Sequence, residues 1–213
     1  MKLYDLIILT VTIVMITMLN ISYSSADRTF YIIPSSNISC PVDPCLTLSQ
    51  FAQNSSSLLS HASNATLVFL NGNHRLETNF SVSYFNRLHM ITNAFSGDAH
   101  TITCQNQVSF HFENVTELWI NGLMFIRCGS NTFSCIKNFV IENSTFEGQN
   151  SSSTALEILE TNLKVMNSSF LSNRVGRCHS IYDTKVRSYV FYRVGGAIFV
   201  KMSNVSVINS IFF

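Results

Sequence analysis

Charged residues are scarce in this sequence. They make up 12% of the 213 residues, and the formal net charge at pH 7 is +1. Proteins that bind nucleic acid through its phosphates carry a surplus of Lys and Arg. This chain has neither that surplus nor an acidic tail, so we predict no nucleic-acid partner.

Clustered carboxylates are lacking as well. Beyond the N-terminal leader the only Asp residues are Asp27, Asp43, Asp98 and Asp183, none next to another. Hydrolysis by paired carboxylates, or elimination assisted by carboxylate-bound Ca²⁺, needs such groups close together. The six His form no i, i+2 or i, i+4 pairs. The sequence therefore predicts no metal site, no cofactor and no catalytic residue.

The N-terminus has the pattern of a signal peptide. Lys2 precedes the apolar run 6–19, and Ser24 and Ala26 supply small residues at the −3 and −1 positions of a cleavage site. We expect residues 1–26 to be removed and the mature chain to be secreted or extracellular. An uncleaved signal anchor is the alternative, but the run is shorter than the roughly 20 residues of a spanning helix. No later apolar stretch is long enough to span a bilayer, so we expect no membrane span in the mature chain.

A short phrase recurs four times in the second half of the chain. It consists of an apolar residue, any residue, Ile or Val, any residue, Asn or Gly, two further residues and Phe. The copies are residues 118–125, 139–146, 163–170 and 205–212. Alternating apolar residues favour a strand with one buried face, and Asn or Gly favours a turn.

The spacing of the phrase indicates stacked coils. Gly122 lies 21 residues before Asn143, and Asn143 lies 24 before Asn167. A strand and a turn that recur at this interval predict a solenoid. We expect the Phe residues to stack in its core and Asn143, Asn167 and Asn209 to form a ladder inside the turn, each amide bonding to the next coil.

The six cysteines are typical of an oxidising compartment. Cys40 and Cys45 enclose two prolines and no nearby His, which favours a disulfide over a metal site. Cys135 and Cys178 either pair with each other or stay free.

A second disulfide is predicted between neighbouring coils. Ile102-Thr-Cys104 recurs 24 residues later as Ile126-Arg-Cys128. Residues one coil apart lie about 4.8 Å from each other, a distance that a disulfide can bridge. We predict a Cys104–Cys128 bridge, with two buried thiols as the alternative.

Nine Asn-x-Ser/Thr sequons after the leader agree with secretion. Asn143 and Asn167 lie at the turn of the phrase, where an inward-pointing side chain could not carry a glycan. We therefore predict glycosylation first at Asn37, Asn54 and Asn64.

The start of the mature chain predicts a cap. Residues 27–63 combine a short strand, the Cys loop and one amphipathic helix, N-capped by Thr47 or Ser49. The first coil of a solenoid has no neighbour above it, so its apolar end needs a cover. We assign the helix this role and residues 64–213 to the coils. The sequence ends at Phe213 within a repeat and without a polar cap. We expect either further coils beyond it or a partner that covers this end, and we favour further coils.

The regular spacing fails once. Blocks 155–170 and 197–212 match throughout but are offset by 42 residues, so 171–195 holds either an extra irregular coil or a loop. Insertions in solenoids often form the binding face. We predict that this segment binds an extracellular glycan or protein through Arg177, Tyr182, Asp183, Arg187, Tyr189 and Tyr192.

Two short motifs carry a family resemblance. Gly195-Gly-Ala-Ile198 and Phe170-Leu-Ser-Asn173 resemble the GGAI and FxxN repeats of chlamydial-type polymorphic outer membrane proteins. They are also similar to the pectate-lyase-like domains of large secreted animal proteins. Residues 45–51 and 67–76 of this chain resemble the beginning of those domains. Each motif occurs once, and the counterparts after Phe125 and Phe146 depart from FxxN.

The resemblance implies an all-β fold, a right-handed parallel β-helix solenoid with an N-terminal capping helix. It also implies an extracellular adhesive or matrix-like role. We therefore expect a non-enzymatic interaction or adhesion module that binds glycan or protein. The alternative is a polysaccharide lyase or glycoside hydrolase of the β-helix type, with its site around residues 174–193.

Overall fold

The computed structural model describes residues 26–34, 44–93, 100–148, 150–151, 155–175 and 197–213. This part of the chain is predominantly β and contains one helix, α1, at Leu48–Leu59. The strands, in chain order, are β1 Ala26–Ile33, β2 Cys45–Thr47, β3 Ala62–Phe69, β4 Gly72–Leu76, β5 Phe80–Thr92, β6 His100–Cys104, β7 Phe110–Asn121, β8 Leu123–Ile126, β9 Asn131–Ser134, β10 Asn138–Glu142, β11 Thr145–Glu147, β12 Asn150–Ser151, β13 Leu156–Leu159, β14 Asn162–Met166, β15 Ser169–Leu171, β16 Arg174–Val175, β17 Ile198–Lys201, β18 Asn204–Ile208 and β19 Ile211–Phe212.

The strands form three sheets, and every pairing between them in the described ranges is parallel. The large sheet has the order β17-β13-β9-β7-β5-β3-β1-β2, with β10, β14 and β18 branching from β7. The second sheet has the order β19-β15-β11-β8-β6-β4, and the third pairs β12 with β16. The chain returns to the same sheets in the same order, which is compatible with a β-helix or another solenoid.

The four copies of the repeated phrase lie side by side. Phe139 pairs with Leu118 on one side and with Leu163 on the other, and Leu163 pairs with Val205. Each copy therefore forms a neighbouring strand, and the prediction that the phrase repeats a structural unit is confirmed.

The phenylalanines of the phrase stack in the core, as predicted. Ring centroids lie 4.6 Å apart for Phe125 and Phe146, 5.2 Å for Phe146 and Phe170, and 4.9 Å for Phe170 and Phe212. The first three rings are buried. Since parallel in-register pairing places identical residues one above another, the stack follows directly from the register.

The large sheet is divided into two arms by a bend that we call the mixed corner. The bend falls within β5 and β7, and between β9 and β10, β13 and β14, and β17 and β18. At this point each strand level has one residue with positive φ, a conformation that only Gly, Asn and Asp adopt readily. The mixed corner comprises Tyr84, Asn114, Cys135, Glu160 and Met202.

A second bend, the asparagine corner, leads from the large sheet into the second sheet. It coincides with the Asn/Gly position of the phrase and comprises Gly122, Asn143, Asn167 and Asn209. A third corner follows the second sheet at Arg127, Gly148 and Ser172, which also have positive φ.

The predicted asparagine ladder inside the turn is wrong. Asn143 and Asn167 are exposed, and Asn143 Nδ2 donates outside the core to Asn121 Oδ1 at 3.2 Å. The buried ladder is one residue further on, where the backbone N–H of Ser144 donates to Ser168 Oγ at 3.2 Å. The left-handed residue turns its own side chain outward and brings the next one inward. The argument against glycans at Asn143 and Asn167 therefore loses its basis.

The predicted helix is present and is N-capped by Thr47. Thr47 Oγ1 accepts from the Gln50 N–H at 3.3 Å, and Gln50 Oε1 accepts from the Thr47 N–H at 2.9 Å, a capping box. Phe51 on its buried face contacts Phe30 and Phe80, with ring centroids 5.0 and 5.6 Å away. The helix thus packs against the apolar interior of the first strands.

The Cys104–Cys128 disulfide is confirmed, with a Cα–Cα distance of 4.7 Å. The alignment that suggested it is off by one residue, because Ile102 pairs with Phe125 rather than with Ile126. Arg127, with φ of 56°, takes up the extra residue and brings Cys128 next to Cys104.

The remaining cysteines are partly described. Cys45 is disulfide-bonded, and its predicted partner Cys40 lies outside the described residues. Cys135 is a free, exposed thiol, and Cys178 is also outside the described part.

The blocks on either side of the irregular segment pair directly. β13 pairs with β17, β14 with β18 and β15 with β19. No strand of an extra coil is inserted between these paired strands in the large and second sheets. Most of the predicted segment 171–195 lies outside the described residues.

Candidate functional site

The binding residues predicted from the sequence lie outside the described part of the chain. They are Arg177, Tyr182, Asp183, Arg187, Tyr189 and Tyr192. Of the predicted glycosylation sites, Asn37 is also outside, Asn54 is exposed and Asn64 is half-buried. Within the described ranges no helix is both long and apolar enough to cross a membrane.

A group of polar and aromatic side chains lies on the outer face of the large sheet. Arg87 and His89 project from β5, and Glu117 and Trp119 project from the adjacent strand β7. The register pairs Arg87 with Glu117 and His89 with Trp119, so the four residues form a square, which we call the Trp119 cluster. Their outward direction follows from alternation, since the neighbouring Leu88, Leu118 and Ile120 are buried.

The Glu117 carboxylate is the centre of this cluster. Its Oε1 lies 2.7 Å from His89 Nε2 and 3.5 Å from Arg87 Nε. A carboxylate held by two donors fixes both of them in orientation, and it fixes the imidazole most tightly because the hydrogen bond to His89 is the shorter. The guanidinium of Arg87 stays half-exposed and available to a ligand.

Trp119 is oriented by the same imidazole. The His89 and Trp119 rings meet edge to face, with centroids 5.3 Å apart and an interplanar angle of 87°. The indole Nε1 of Trp119 is shielded from solvent and has no hydrogen-bond partner among the described residues. Trp119 is the single tryptophan of the chain. Its ring is thus held in place by neighbours while the residue remains partly exposed.

A row of amides and a carboxylate continues the polar surface onto β3 and β1. Asn86 Nδ2 donates to Asn64 Oδ1 at 2.9 Å, and Asn64 Nδ2 donates to Asp27 Oδ1 at 2.5 Å. Asn64 is paired in register with Arg87. The outer face therefore presents hydrogen-bonding groups across four neighbouring strands, with an aromatic ring on one of them.

Two other histidines are part of the core. His74 is fully buried, its Nε2 donates to the Leu70 carbonyl at 2.7 Å, and its ring packs against Phe69. Burial lowers the pKa of His74 below its ordinary value, because the charged form would lose its hydration. His100 is also buried. Neither ring is accessible to a ligand, and we assign both to structure.

Cys135 and Glu160 are neighbours on the mixed corner. The thiol Sγ lies 3.7 Å from Glu160 Oε2. The pKa of the Cys135 thiol is raised, first by local desolvation and then by the carboxylates of Glu160 and Glu113. A raised pKa lowers the fraction of reactive thiolate, so this thiol is a poor nucleophile at neutral pH.

An open depression of about 390 Å³ lies beside the Cys104–Cys128 disulfide, lined by Cys104, Asn106, Gln107, Arg127 and Gly148. Arg127 and Gly148 of the third corner contribute to its lining, and among the described lining residues there is no aromatic ring and no carboxylate. The Trp119 cluster is the better candidate for ligand recognition.

No protein-family model matches the chain, and neither a curated protein nor a solved structure matches it. The parallel sheets and the disulfide are shown by the structure itself. The resemblance to polymorphic outer membrane proteins and to pectate-lyase-like domains stays a prediction.

The Trp119 cluster had one signal in the sequence. Trp119 occupies the outward position between Leu118 and Ile120 in the first copy of the phrase, where the other copies have Val140, Lys164 and Ser206. Trp119 thus differs from its counterparts in size and in aromatic character. The partners Arg87 and His89 could be placed beside it only after the strand register was known.

Proposed function

We propose that this chain is a secreted glycan-binding module built as a right-handed parallel β-helix, of the type found in adhesive and matrix-like extracellular proteins. The observation that carries the proposal is the Trp119 cluster on the outer face of the large sheet. The disulfide state of Cys45, Cys104 and Cys128 and the exposure of sequons such as Asn54 support an extracellular location.

The chemistry of the cluster fits a sugar. A pyranose ring has an apolar face of C–H groups and a rim of hydroxyls, so it needs a flat ring to stack on and donors and acceptors at the side. Trp119 provides the ring, Glu117 accepts hydrogen bonds, and Arg87 donates them. A few fixed polar groups beside an aromatic surface are a typical arrangement for orienting a polar ligand.

The cluster is also set up before binding. Glu117 holds His89 and Arg87, and His89 holds the Trp119 ring. Side chains that are already ordered lose little conformational entropy when a ligand arrives. A shallow surface of this kind can therefore bind without a deep pocket.

Binding is tested with the secreted mature chain on an array of neutral and acidic glycans, followed by calorimetry on the glycans that bind. Trp119→Ala is expected to weaken binding at least tenfold, about 1.4 kcal/mol. Val140→Ala is the matched control, because Val140 is paired with Trp119 on the next strand and lies at the same outward position. Wild-type protein that binds no glycan, or a Trp119→Ala variant that binds as well as wild type, contradicts the proposal.

Carbohydrate cleavage is the second candidate function. Its predicted site, around residues 174–193, lies mostly outside the described residues. The 2.7 Å contact between Glu117 and His89 gives it another location, because an imidazole oriented by a carboxylate can act as a general base. Turnover of uronic-acid polysaccharides by wild type and its loss in Glu117→Gln would favour this function, whereas binding without turnover favours the first.

A further inference from the structure

Tyr84 departs from the expected behaviour of a tyrosine in two independent ways. Its φ is 56°, in the left-handed region that a bulky side chain rarely enters. Its side chain is 81% exposed, so the ring is not buried by folding. Neither its backbone conformation nor its packing accounts for a tyrosine at this position.

The neighbouring strand level has a residue that suits this bend. Asn114 occupies the same position on β7, with φ of 52°. Asn adopts this conformation readily, and its short side chain suffices for the turn. An exposed, strained aromatic residue in place of Asn points to use of the ring at the surface.

Tyr84 and the Trp119 cluster are connected by a polar strip of β5. His89 is five positions after Tyr84, which at roughly 3.3 Å per residue is about 16 Å along the strand. Asn86 and Arg87 lie between them and are exposed. Two aromatic side chains thus lie at the ends of a hydrogen-bonding strip that is longer than a single sugar ring.

We propose that Tyr84 is a second aromatic contact for the glycan, and that the ligand is an extended oligosaccharide lying along β5 from Trp119 to Tyr84. This inference rests on the glycan-binding function proposed above and adds a length requirement to it. A short saccharide stacks on Trp119 alone. A longer one also crosses Asn86 and Arg87 and reaches Tyr84.

The test compares oligosaccharides of increasing length, from the monosaccharide to long oligomers of N-acetylglucosamine and of galacturonic acid. Calorimetry gives Kd for each length with wild type, Tyr84→Asn and Tyr84→Phe. We expect Tyr84→Asn to raise Kd for long oligomers about tenfold and to leave Kd for the shortest binding saccharide unchanged. Tyr84→Phe keeps the ring and is expected to bind nearly as wild type does.

Met202→Asn is the matched control. Met202 is at the same corner, has φ of 49° and is 58% exposed, but it lies on β17–β18, several strands away from the cluster. Both Asn variants are expected to have a Tm equal to or above that of wild type, and only Tyr84→Asn is expected to change binding.

The outcomes separate the two proposals. If wild type binds and Tyr84→Asn binds every length with unchanged Kd, the inference about Tyr84 is wrong and the Trp119 site stands. If wild type binds neither series nor any glycan on the array, the glycan-binding function fails and the inference fails with it.

Discussion

The asparagine corner and the mixed corner solve the same geometrical problem with different residues. At both, one residue per strand level adopts positive φ and the next side chain turns into the core. The asparagine corner uses Gly122 and three Asn, which reach this conformation readily. The mixed corner uses Tyr84, Cys135 and Glu160 among others, for which the left-handed conformation costs roughly 1–2 kcal/mol each. The asparagine corner is thus built for stability, and the mixed corner keeps strained, chemically varied side chains on the surface.

The largest predicted effect is a loss of stability when the buried hydroxyl that follows either corner is removed. Ser168 Oγ follows the asparagine corner, accepts from the Ser144 N–H and donates to the Met166 carbonyl at 2.7 Å. Thr161 follows the mixed corner in the same way. Its Oγ1 accepts from the Ile136 N–H at 3.0 Å and donates to the Leu159 carbonyl at 2.8 Å. Ser168→Ala and Thr161→Val should each lower the free energy of unfolding by about 1–3 kcal/mol, because a buried N–H loses its acceptor.

Urea denaturation measures both losses, with the exposed Ser206→Ala as control. Similar losses confirm that the interior is the same behind both corners. A loss at only one corner contradicts the common ladder.

Acid should lower the stability of the fold through His74, which belongs to neither corner. The pKa of buried His74 is lowered in the folded state, so below its ordinary value of 6.5 the unfolded state binds more protons. Stability is therefore full above that pH and falls as the pH drops below it. His74→Phe should flatten the dependence of Tm on pH between neutral and mildly acidic buffer, while His61→Phe, at an exposed position, should leave it unchanged.

Substitutions at the two corners should change the free energy of unfolding in opposite directions. Asn167→Ala removes a residue suited to φ of 48°, so unfolding should become easier by about 1 kcal/mol. Glu160→Asn installs such a residue at φ of 48° and should stabilise by a similar or smaller amount. The comparison uses unglycosylated protein, since Asn167 starts a sequon. Loss of stability in both variants would remove the distinction between the corners.

The smallest effect concerns the Cys135 thiol. Because Glu160 helps to raise the pKa of Cys135, Glu160→Gln should lower that pKa and increase the thiolate fraction at a given pH. Alkylation of Cys135 by iodoacetamide at mildly alkaline pH should become a few fold faster. An unchanged rate would show that desolvation alone suppresses the thiol.

The sequence was sufficient for those features that depend on regular spacing. The repeated phrase predicted stacked strands and the Phe stack, and the separate recurrence of Ile-x-Cys predicted the disulfide between neighbouring coils. The helix was predicted with Thr47 or Ser49 as its N-cap; the structure selects Thr47 and adds the reciprocal bond with Gln50, which was not predicted from the sequence. These features need only the period and near neighbours.

The features that were predicted wrongly or missed depend on backbone conformation and strand register, which the repeat spacing does not reveal. The buried ladder is one residue beyond the predicted Asn, because positive φ reverses which side chain faces inward. The mixed corner was missed since Tyr84 and Cys135 are not turn-forming residues. The Trp119 cluster joins β5 and β7 across about 30 residues of chain, and one residue of register error would separate its members.

Trp119 offers the most direct test of the central claim, that the outer face of the large sheet binds glycans. Since it is the single tryptophan of the chain, its fluorescence reports on this cluster alone. Titration with a glycan identified on the array should change the emission saturably, with the same Kd as calorimetry. A glycan that binds by calorimetry while the emission stays constant would show that the ligand binds elsewhere.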